Sequence, residues 1–430
     1  MKKTFGVYLI VTAMFFAASV DLHAVEIKVL MSNGATTKDY KACLKKCNEM
    51  NLIPGFTFTW ESTSYVDAGK LAGKDVVMYP GGTTKPKATD IPALQKFISN
   101  GGGYYGTCAG AGSAIGCFEL TPHVKTIGTY FQGPVDVRLT EWGTRVFGYG
   151  GNQMIKCYNG MSFFLEGGKV FADLAHWHNN HNGDMVRVGD SNIAETGYWK
   201  ADWDTAGGGT KYKQSYVDYY GKGRVIVINA HPEIGRRAGY YWYPRWVGAG
   251  VVWASGHMNA LSGYILGYDQ GYYSDGKFRR LSSSADYDMI CQREYITADG
   301  TISSISLLKT SETGKLIVGV YTGDTRPETC VAQSDPVSAD GKTGWQTVNL
   351  KKPYKVTKGE TIWLAFMFQD TNHKYYYKRF ADKKGNTFEN RVWASSAGWS
   401  DLKGNNLPES PSGSIEDYLV CLFTTVSLEK

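Results

Sequence analysis

The chain has 430 residues, of which 43% are hydrophobic and 20% are charged, and 46 basic against 40 acidic side chains give a net charge of +6. This mild charge, with no long basic run, excludes a nucleic-acid partner from our expectations. One hydrophobic core rarely serves a chain of this length, so we expect two domains.

Residues 1–24 have the pattern of a secretory signal peptide. Lys2 and Lys3 give a basic start, the run from Phe5 to Val20 is mainly apolar, and Ala24 is the small residue that signal peptidase favours. The apolar run is shorter than the roughly 20 residues that span a bilayer. We therefore expect export, to the periplasm or the medium, and no integral membrane segment in the mature chain.

Five apolar runs in the first half of the chain predict β-strands, and helical patterns lie between several of them. This alternation favours a sheet with helices on both faces. We predict a flavodoxin-like three-layer α/β/α domain with a mostly parallel sheet over residues 25–263. The runs are Val25–Met31, Thr57–Ser62, Asp75–Tyr79, Gly103–Thr107 and Arg224–Asn229.

The second half of the chain has a different composition and a different spacing of apolar runs. Residues 264–288 are rich in Gly, Tyr, Asp and Ser, which predicts a linker. Over residues 289–430, short apolar runs are separated by turn residues without an intervening helical pattern, which predicts an all-β sandwich domain. This pattern of short apolar runs resembles the accessory modules of secreted bacterial proteins, so we expect the second domain to bind a glycan or a cell-surface ligand.

Cys108 lies in the motif Gly106-Thr107-Cys108-Ala109-Gly110, between a predicted strand and a helix-compatible segment. A nucleophile elbow has this pattern, because glycines two residues either side give a strained turn room and leave the side chain exposed. The dipole of the following helix favours thiolate over thiol. The alternative is a structural cysteine buried in a glycine-rich turn.

His231 and Glu233 follow the last strand of the predicted sheet, at its carboxyl end, where catalytic groups collect in open α/β sheets. His231 could take a proton from Cys108, and Glu233 could orient the ring. The alternative is a hydrogen-bonded structural histidine. Gly81 and Gly82, with Ala109, could supply backbone N–H groups for an oxyanion hole, although an isolated Pro-Gly-Gly segment also forms ordinary turns.

Together these motifs resemble the class I glutamine amidotransferase-like superfamily, and most closely its biotin–protein ligase N-terminal domain family. The resemblance covers about residues 25–262 and implies a Cys108, His231 and Glu233 triad in a flavodoxin-like fold. It does not imply biotin ligation, because the chain has no Gly-Arg-Gly-Arg-type adenylate-binding stretch. Tyr158 and Asn159 resemble the family's middle segment and are weak candidates for substrate binding.

Two further candidates for substrate binding are weaker. His178 belongs to a run of three histidines that either borders the active-site mouth, holds a metal or forms a polar loop. Tyr241 belongs to an aromatic cluster that either binds substrate or packs between layers. Cys43 and Cys47 lie four residues apart on a predicted helix, and without a matching His/Cys pair we interpret them as partly buried helix residues.

The motifs favour an exported cysteine-dependent amide hydrolase, an amidase or peptidase that forms a thioester at Cys108. Its substrate is a small-molecule or peptide amide, and we predict no cofactor and no metal. An alternative is a non-catalytic protein that uses an amidotransferase-like fold to bind a ligand, a glycan or the cell surface.

Overall fold

The architecture comes from a computed structural model of the chain. Within its described residues, no helix has the length and apolar character needed to cross a membrane. Residues 1–23 of the predicted signal peptide, His178 and Tyr241 lie outside the described residues. The described residues are 24–82, 88–121, 124–165, 169–177, 186–187, 213–228, 230–234, 242–267, 269, 279–282, 289–309, 314–369, 374–379, 392–395, 402, 406–416, 418–420 and 422–428.

The first domain is built on one sheet, in which ten strands are described. The strands are β1 (Val25–Ser32), β2 (Phe56–Thr63), β3 (Val76–Tyr79), β4 (Gly103–Thr107), β5 (Val124–Leu139), β6 (Asn152–Leu165), β7 (Lys169–Trp177), β8 (Val186–Arg187), β9 (Lys213–Tyr220) and β10 (Gly223–Ile228).

Half of this sheet is parallel, and it is the half that the sequence predicted. Strands β2, β1, β3, β4 and β10 pair in that order, each parallel to its neighbour. These five strands match the five predicted runs to within one residue at each end. The strand order places the carboxyl ends of β3, β4 and β10 side by side.

The other half of the sheet was not predicted. Strand β9 pairs antiparallel with β10, and the sheet continues through β6, β5 and β7, also antiparallel. The segment between Cys108 and His231 thus extends the sheet beyond β10. Its strands are long and carry no continuous apolar run, which is why the sequence pattern missed them.

Helices cover both faces of the parallel half, which confirms the three-layer prediction. Helices α1, α5 and α6 pack in the core on one face, and α2, α3 and α4 pack in the core on the other. On α1, an apolar stripe at helical spacing faces the sheet. It includes Cys43 and Cys47, which are 0% and 2% exposed and so more deeply buried than the partial burial we predicted. The helices are α1 (Thr37–Met50), α2 (Ala68–Leu71), α3 (Ile91–Ser99), α4 (Ala109–Gly116), α5 (Glu141–Phe147) and α6 (Pro244–Ala254).

The second domain is all-β, as predicted, and consists of two antiparallel sheets whose apolar faces share one core. Its strands are β11 (Gly263–Gly267), β12 (Arg279–Ser282), β13 (Met289–Tyr295), β14 (Gly300–Lys309), β15 (Lys315–Thr322), β16 (Thr329–Gln333), β17 (Val337–Ser338), β18 (Gly344–Val356), β19 (Thr361–Phe368), β20 (Lys374–Arg379), β21 (Val392–Ser395), β22 (Ser414–Glu416), β23 (Tyr418–Val420) and β24 (Leu422–Leu428).

The linker prediction over residues 264–288 is wrong for two segments, 264–267 and 279–282. They form most of β11 and all of β12, which pair with β24 and β20 of the second domain. Tyr264 and Leu266 are fully buried in the core of the second domain. The composition of this segment is typical of a loop, but burial of its few apolar side chains against β24 outweighs that local preference.

The two domains meet through buried polar contacts. The hydroxyl of Thr297 lies 2.7 Å from that of Thr144 on α5 and accepts a hydrogen bond of 3.2 Å from the backbone N–H of Gly151. Thr297 is only 3% exposed. Ile265 joins the first domain as well, because its N–H donates to the carbonyl of Gly148.

Replacing Thr297 by Val tests this junction. Thr297→Val keeps the side-chain shape but leaves two buried polar groups unpaired, so we expect it to lower the free energy of unfolding by about 1–3 kcal/mol. Urea unfolding followed by tryptophan fluorescence measures the change. Thr297→Ser, which retains the hydroxyl, is the matched control, and a valine variant as stable as the serine variant would contradict the assignment.

Candidate active site

Cys108 lies in a strained turn between β4 and α4. Its φ of 49° and ψ of −114° are dihedral angles that a non-glycine residue rarely adopts. A Cβ at Gly106 would lie 2.8 Å from the carbonyl oxygen of Gly110, and a Cβ at Gly110 would overlap the carbonyl oxygen of Tyr79. Both positions therefore require glycine, which supports the predicted nucleophile elbow.

Hydrogen bonds fix the turn on both sides. The N–H of Cys108 donates to the carbonyl of Ile228 at 2.9 Å, and the N–H of Gly112 donates to the carbonyl of Cys108 at 3.0 Å. The hydroxyl of Tyr104 donates to the carbonyl of Gly110 at 2.7 Å. The Cys108 side chain is 8% exposed. Its backbone is thus tied to β10, the strand that leads to the histidine.

His231 and Glu233 lie just beyond β10, which pairs with β4 in register Ile228↔Thr107. Nδ1 of His231 lies 2.7 Å from Oε1 of Glu233, and the two side chains are 2% and 0% exposed. This contact assigns the proton on Nδ1 to the bond with the carboxylate and leaves Nε2 for Cys108. The structure therefore brings the three predicted triad residues together.

The charge on Glu233 dominates the electrostatics of this pair. Burial lowers the pKa of His231, but the Glu233 carboxylate and the interaction with Cys108 outweigh burial and raise that pKa to about 10. Among the described residues Nε2 has no hydrogen bond of standard geometry. The Glu233 carboxylate therefore favours the protonated form of the His231 ring.

Two glycines after β3 complete the surroundings of the sulfur. A Cβ at Gly81 would lie 2.5 Å from Cε1 of His231 and 3.4 Å from Cβ of Cys108, so the loop packs directly on the pair. Gly82 has a φ of 67° and packs against Ala35. Ala109 begins α4, and its N–H has no acceptor within the helix. The N–H groups of these residues are candidates for the predicted oxyanion hole.

Sequence analysis missed the groups that enclose Glu233. Tyr40 and Cys43 come from α1 and Tyr105 from β4, and all three are fully buried. Burial first, and then the nearby Glu233 carboxylate, raise the pKa of Tyr105 well above its ordinary value, and the same two causes act on Tyr40. Nothing in the spacing of these residues distinguishes them from ordinary core positions.

The remaining candidates are placed only in part. Tyr158 and Asn159 lie on β6, but their side chains are outside the described part of the structure. Cys43 accepts a hydrogen bond of 3.0 Å from Trp242 Nε1, and the Cys47 thiol donates to the carbonyl of Pro244. In the described part of the chain, no three His, Cys, Asp or Glu side chains form a metal-binding group.

No protein-family profile and no curated protein sequence matches the chain. Among solved structures, it resembles a ThuA-like protein of Bacteroides uniformis, with 13% identity, a TM-score of 0.34, and coverage of 53% of this chain and 90% of that one. A ThuA-like protein of Parabacteroides merdae has 10% identity and a TM-score of 0.32, with coverage of 54% of this chain and 91% of that one. The glutaminase domain of Trypanosoma brucei CTPS has 11% identity and a TM-score of 0.27, with coverage of 55% of this chain and 96% of that one. Because these identities and TM-scores are low, the fold is assigned from the strand order of this chain and the candidate chemistry from the geometry of its site.

The elbow predicts a sharp contrast between two glycines of α4. Gly110→Ala places a methyl group on the carbonyl of Tyr79, so we expect it to lower the free energy of unfolding by about 3 kcal/mol or more. At Gly116 a Cβ would meet nothing within 4 Å, and Gly116→Ala should change stability by no more than about 1 kcal/mol. Thermal and urea unfolding of both variants measure this, and equal stability would exclude a tightly packed elbow.

Proposed function

We propose that the protein is a cysteine-dependent amide hydrolase that acts through a thioester on Cys108. The observation that carries this proposal is the placement of a strained cysteine beside a buried, hydrogen-bonded His231–Glu233 pair, whose carboxylate raises the pKa of the histidine. A structural cysteine needs neither a strained backbone nor a charged partner. The resemblance of the motifs to amidotransferase-like proteins is consistent with the same chemistry.

The reaction proceeds in two halves. The Cys108 thiolate attacks the carbonyl carbon of the amide, and the negative charge that develops on the carbonyl oxygen is stabilised by N–H groups of Gly81 or Gly82 and Ala109. The imidazolium of His231 gives its proton to the departing nitrogen, so an amine or ammonia leaves and a thioester remains.

Water completes the cycle. Neutral His231 takes a proton from a water molecule as its oxygen attacks the thioester carbon, and the C–S bond breaks to release a carboxylic acid and the thiolate. Glu233 keeps Nδ1 protonated and stabilises the imidazolium that returns. The substrate class is a small-molecule or peptide amide, and no step requires a cofactor or a metal.

Export and surface attachment extend this proposal. The signal-like residues 1–24 would deliver the enzyme to the periplasm or the medium, where amide hydrolysis needs no synthase partner. The all-β domain, a β-sandwich, would then bind a glycan or another cell-surface ligand. The narrower kinship with the biotin–protein ligase N-terminal domain family stays a prediction.

The pH dependence of Cys108 alkylation tests the thiolate–imidazolium pair. The raised pKa of His231 means that its positive charge is fully present in the neutral range and is lost only as the pH rises through about 10. Without that charge the thiolate is less stable, so His231→Gln should shift the half-maximal labelling by iodoacetamide to higher pH, by about one unit. Mass spectrometry reads the labelling.

The exposed Cys117 serves as an internal reference in the same samples. Its labelling profile should be the same in the wild-type protein and in the variant. If His231→Gln leaves the Cys108 profile unchanged as well, the two side chains do not act as a pair and the hydrolase proposal fails.

Turnover is the second test. Ammonia and amine release from a panel of glutamine, peptide amides and peptides should fall by about 10⁴-fold or more in Cys108→Ala, as for other removed nucleophiles. Cys117→Ala should retain wild-type rates and serves as the control. A substrate that Cys108→Ala binds but the wild-type protein does not hydrolyse would instead support a ligand-binding protein on this fold.

A further inference from the structure

Two buried oxygens beside the proposed triad lack hydrogen bonds. Oε2 of Glu233 and the hydroxyl oxygen of Tyr105 have no partner among the described residues, and neither atom has access to solvent. An unsatisfied buried hydroxyl costs about 1–3 kcal/mol, and a carboxylate oxygen costs more. Native proteins rarely leave such buried atoms without a hydrogen-bond partner from the protein or an ordered water.

Tyr105 is held in place by its neighbours. Its ring makes an edge-on contact with Tyr40, with 5.9 Å between ring centroids. A Cβ at Gly250 would lie 2.6 Å from Cε2 of Tyr105, so α6 closes the other side of the ring. Tyr105 points to the same sheet face as Thr107, whose hydroxyl accepts a hydrogen bond of 2.7 Å from Tyr40.

Tyr105 is a donor near Glu233 whose hydroxyl has no acceptor among the described residues. Nδ1 of His231 occupies Oε1, the hydroxyl of Tyr40 donates to Thr107, and the Cys43 sulfur accepts from Trp242. Burial and the Glu233 charge keep the pKa of Tyr105 well above its ordinary value, so its hydroxyl retains its proton. The buried donor and the buried acceptor therefore lie close enough for the Glu233 charge to act on Tyr105.

We propose that Tyr105 is a positioning residue for the triad and that its hydroxyl is linked to Oε2 of Glu233 through one enclosed water molecule. The link holds the carboxylate with its other oxygen on His231 and stabilises its negative charge. Tyr105 touches neither the substrate nor the sulfur, and it acts on the thiolate only through Glu233 and His231. This inference rests on the proposed function, because it assigns Tyr105 a role in the same Cys-His pair.

Tyr105→Phe distinguishes positioning from packing. If the hydroxyl only fills space, its removal eliminates an unsatisfied polar group and leaves the Cys108 alkylation profile unchanged, with equal or higher thermal stability. If the hydroxyl supports Glu233, half-maximal labelling should move to higher pH by about half a unit to one unit. In the second case kcat on an amide substrate falls while KM changes little.

A double-mutant cycle with Glu233→Gln shows whether the effect passes through the carboxylate. We expect Tyr105→Phe to add no further shift in the Glu233→Gln background. Tyr264→Phe, which removes a buried hydroxyl that donates to Ala298 in the second domain, is the matched control and should not move the profile. An additive shift would overturn the proposed link.

The outcomes separate this inference from the hydrolase proposal. If His231→Gln shifts the pH dependence of Cys108 alkylation but Tyr105→Phe does not, only the proposed role of Tyr105 is overturned. If none of the variants shifts it, the role of Tyr105 and the hydrolase proposal are both overturned. A crystal structure at high resolution adds a direct test that needs no variant, because an ordered water within hydrogen-bond distance of both oxygens is expected, and two oxygens with separate partners would refute the link.

Discussion

The buried pair of His231 and Glu233 is the constraint on which the candidate site depends. A carboxylate with no solvent exposure is costly unless a charge and hydrogen bonds compensate it. His231 supplies the charge, at 2.7 Å. The ring can remain protonated only because this carboxylate outweighs the effect of its own burial. The charge of the proposed base therefore depends on a group two positions beyond the histidine.

Several elements of the first domain enclose that pair. Helix α1 contributes Tyr40 and Cys43, β4 contributes Tyr105, and α6 closes over the tyrosine ring through Gly250. The same α1–sheet–α6 packing that forms the core on this face thus excludes bulk solvent from the carboxylate. The packing that stabilises this core also strengthens the interaction between His231 and Glu233, because a looser core would let solvent screen the two charges.

The antiparallel half of the sheet explains how a long segment fits between nucleophile and base. Strands β5 to β9 extend the sheet beyond β10, so the chain returns to the site without separating β10 from β4. The second domain is joined to the first through Thr297, Gly151 and Ile265. Buried polar contacts of this kind couple the two domains more rigidly than a solvated linker would.

The sequence by itself determined the parallel strands and the elbow glycines, and it supplied the three candidate triad residues. Each of these depends on local pattern: apolar runs, glycine spacing and the position of a residue after a strand. The tertiary structure alone decided what lies around Glu233, the strands between Cys108 and His231, and the membership of residues 264–267 in the second domain. Such contacts join residues far apart in the chain, and their partners look like ordinary core residues until strand order and helix packing bring them together.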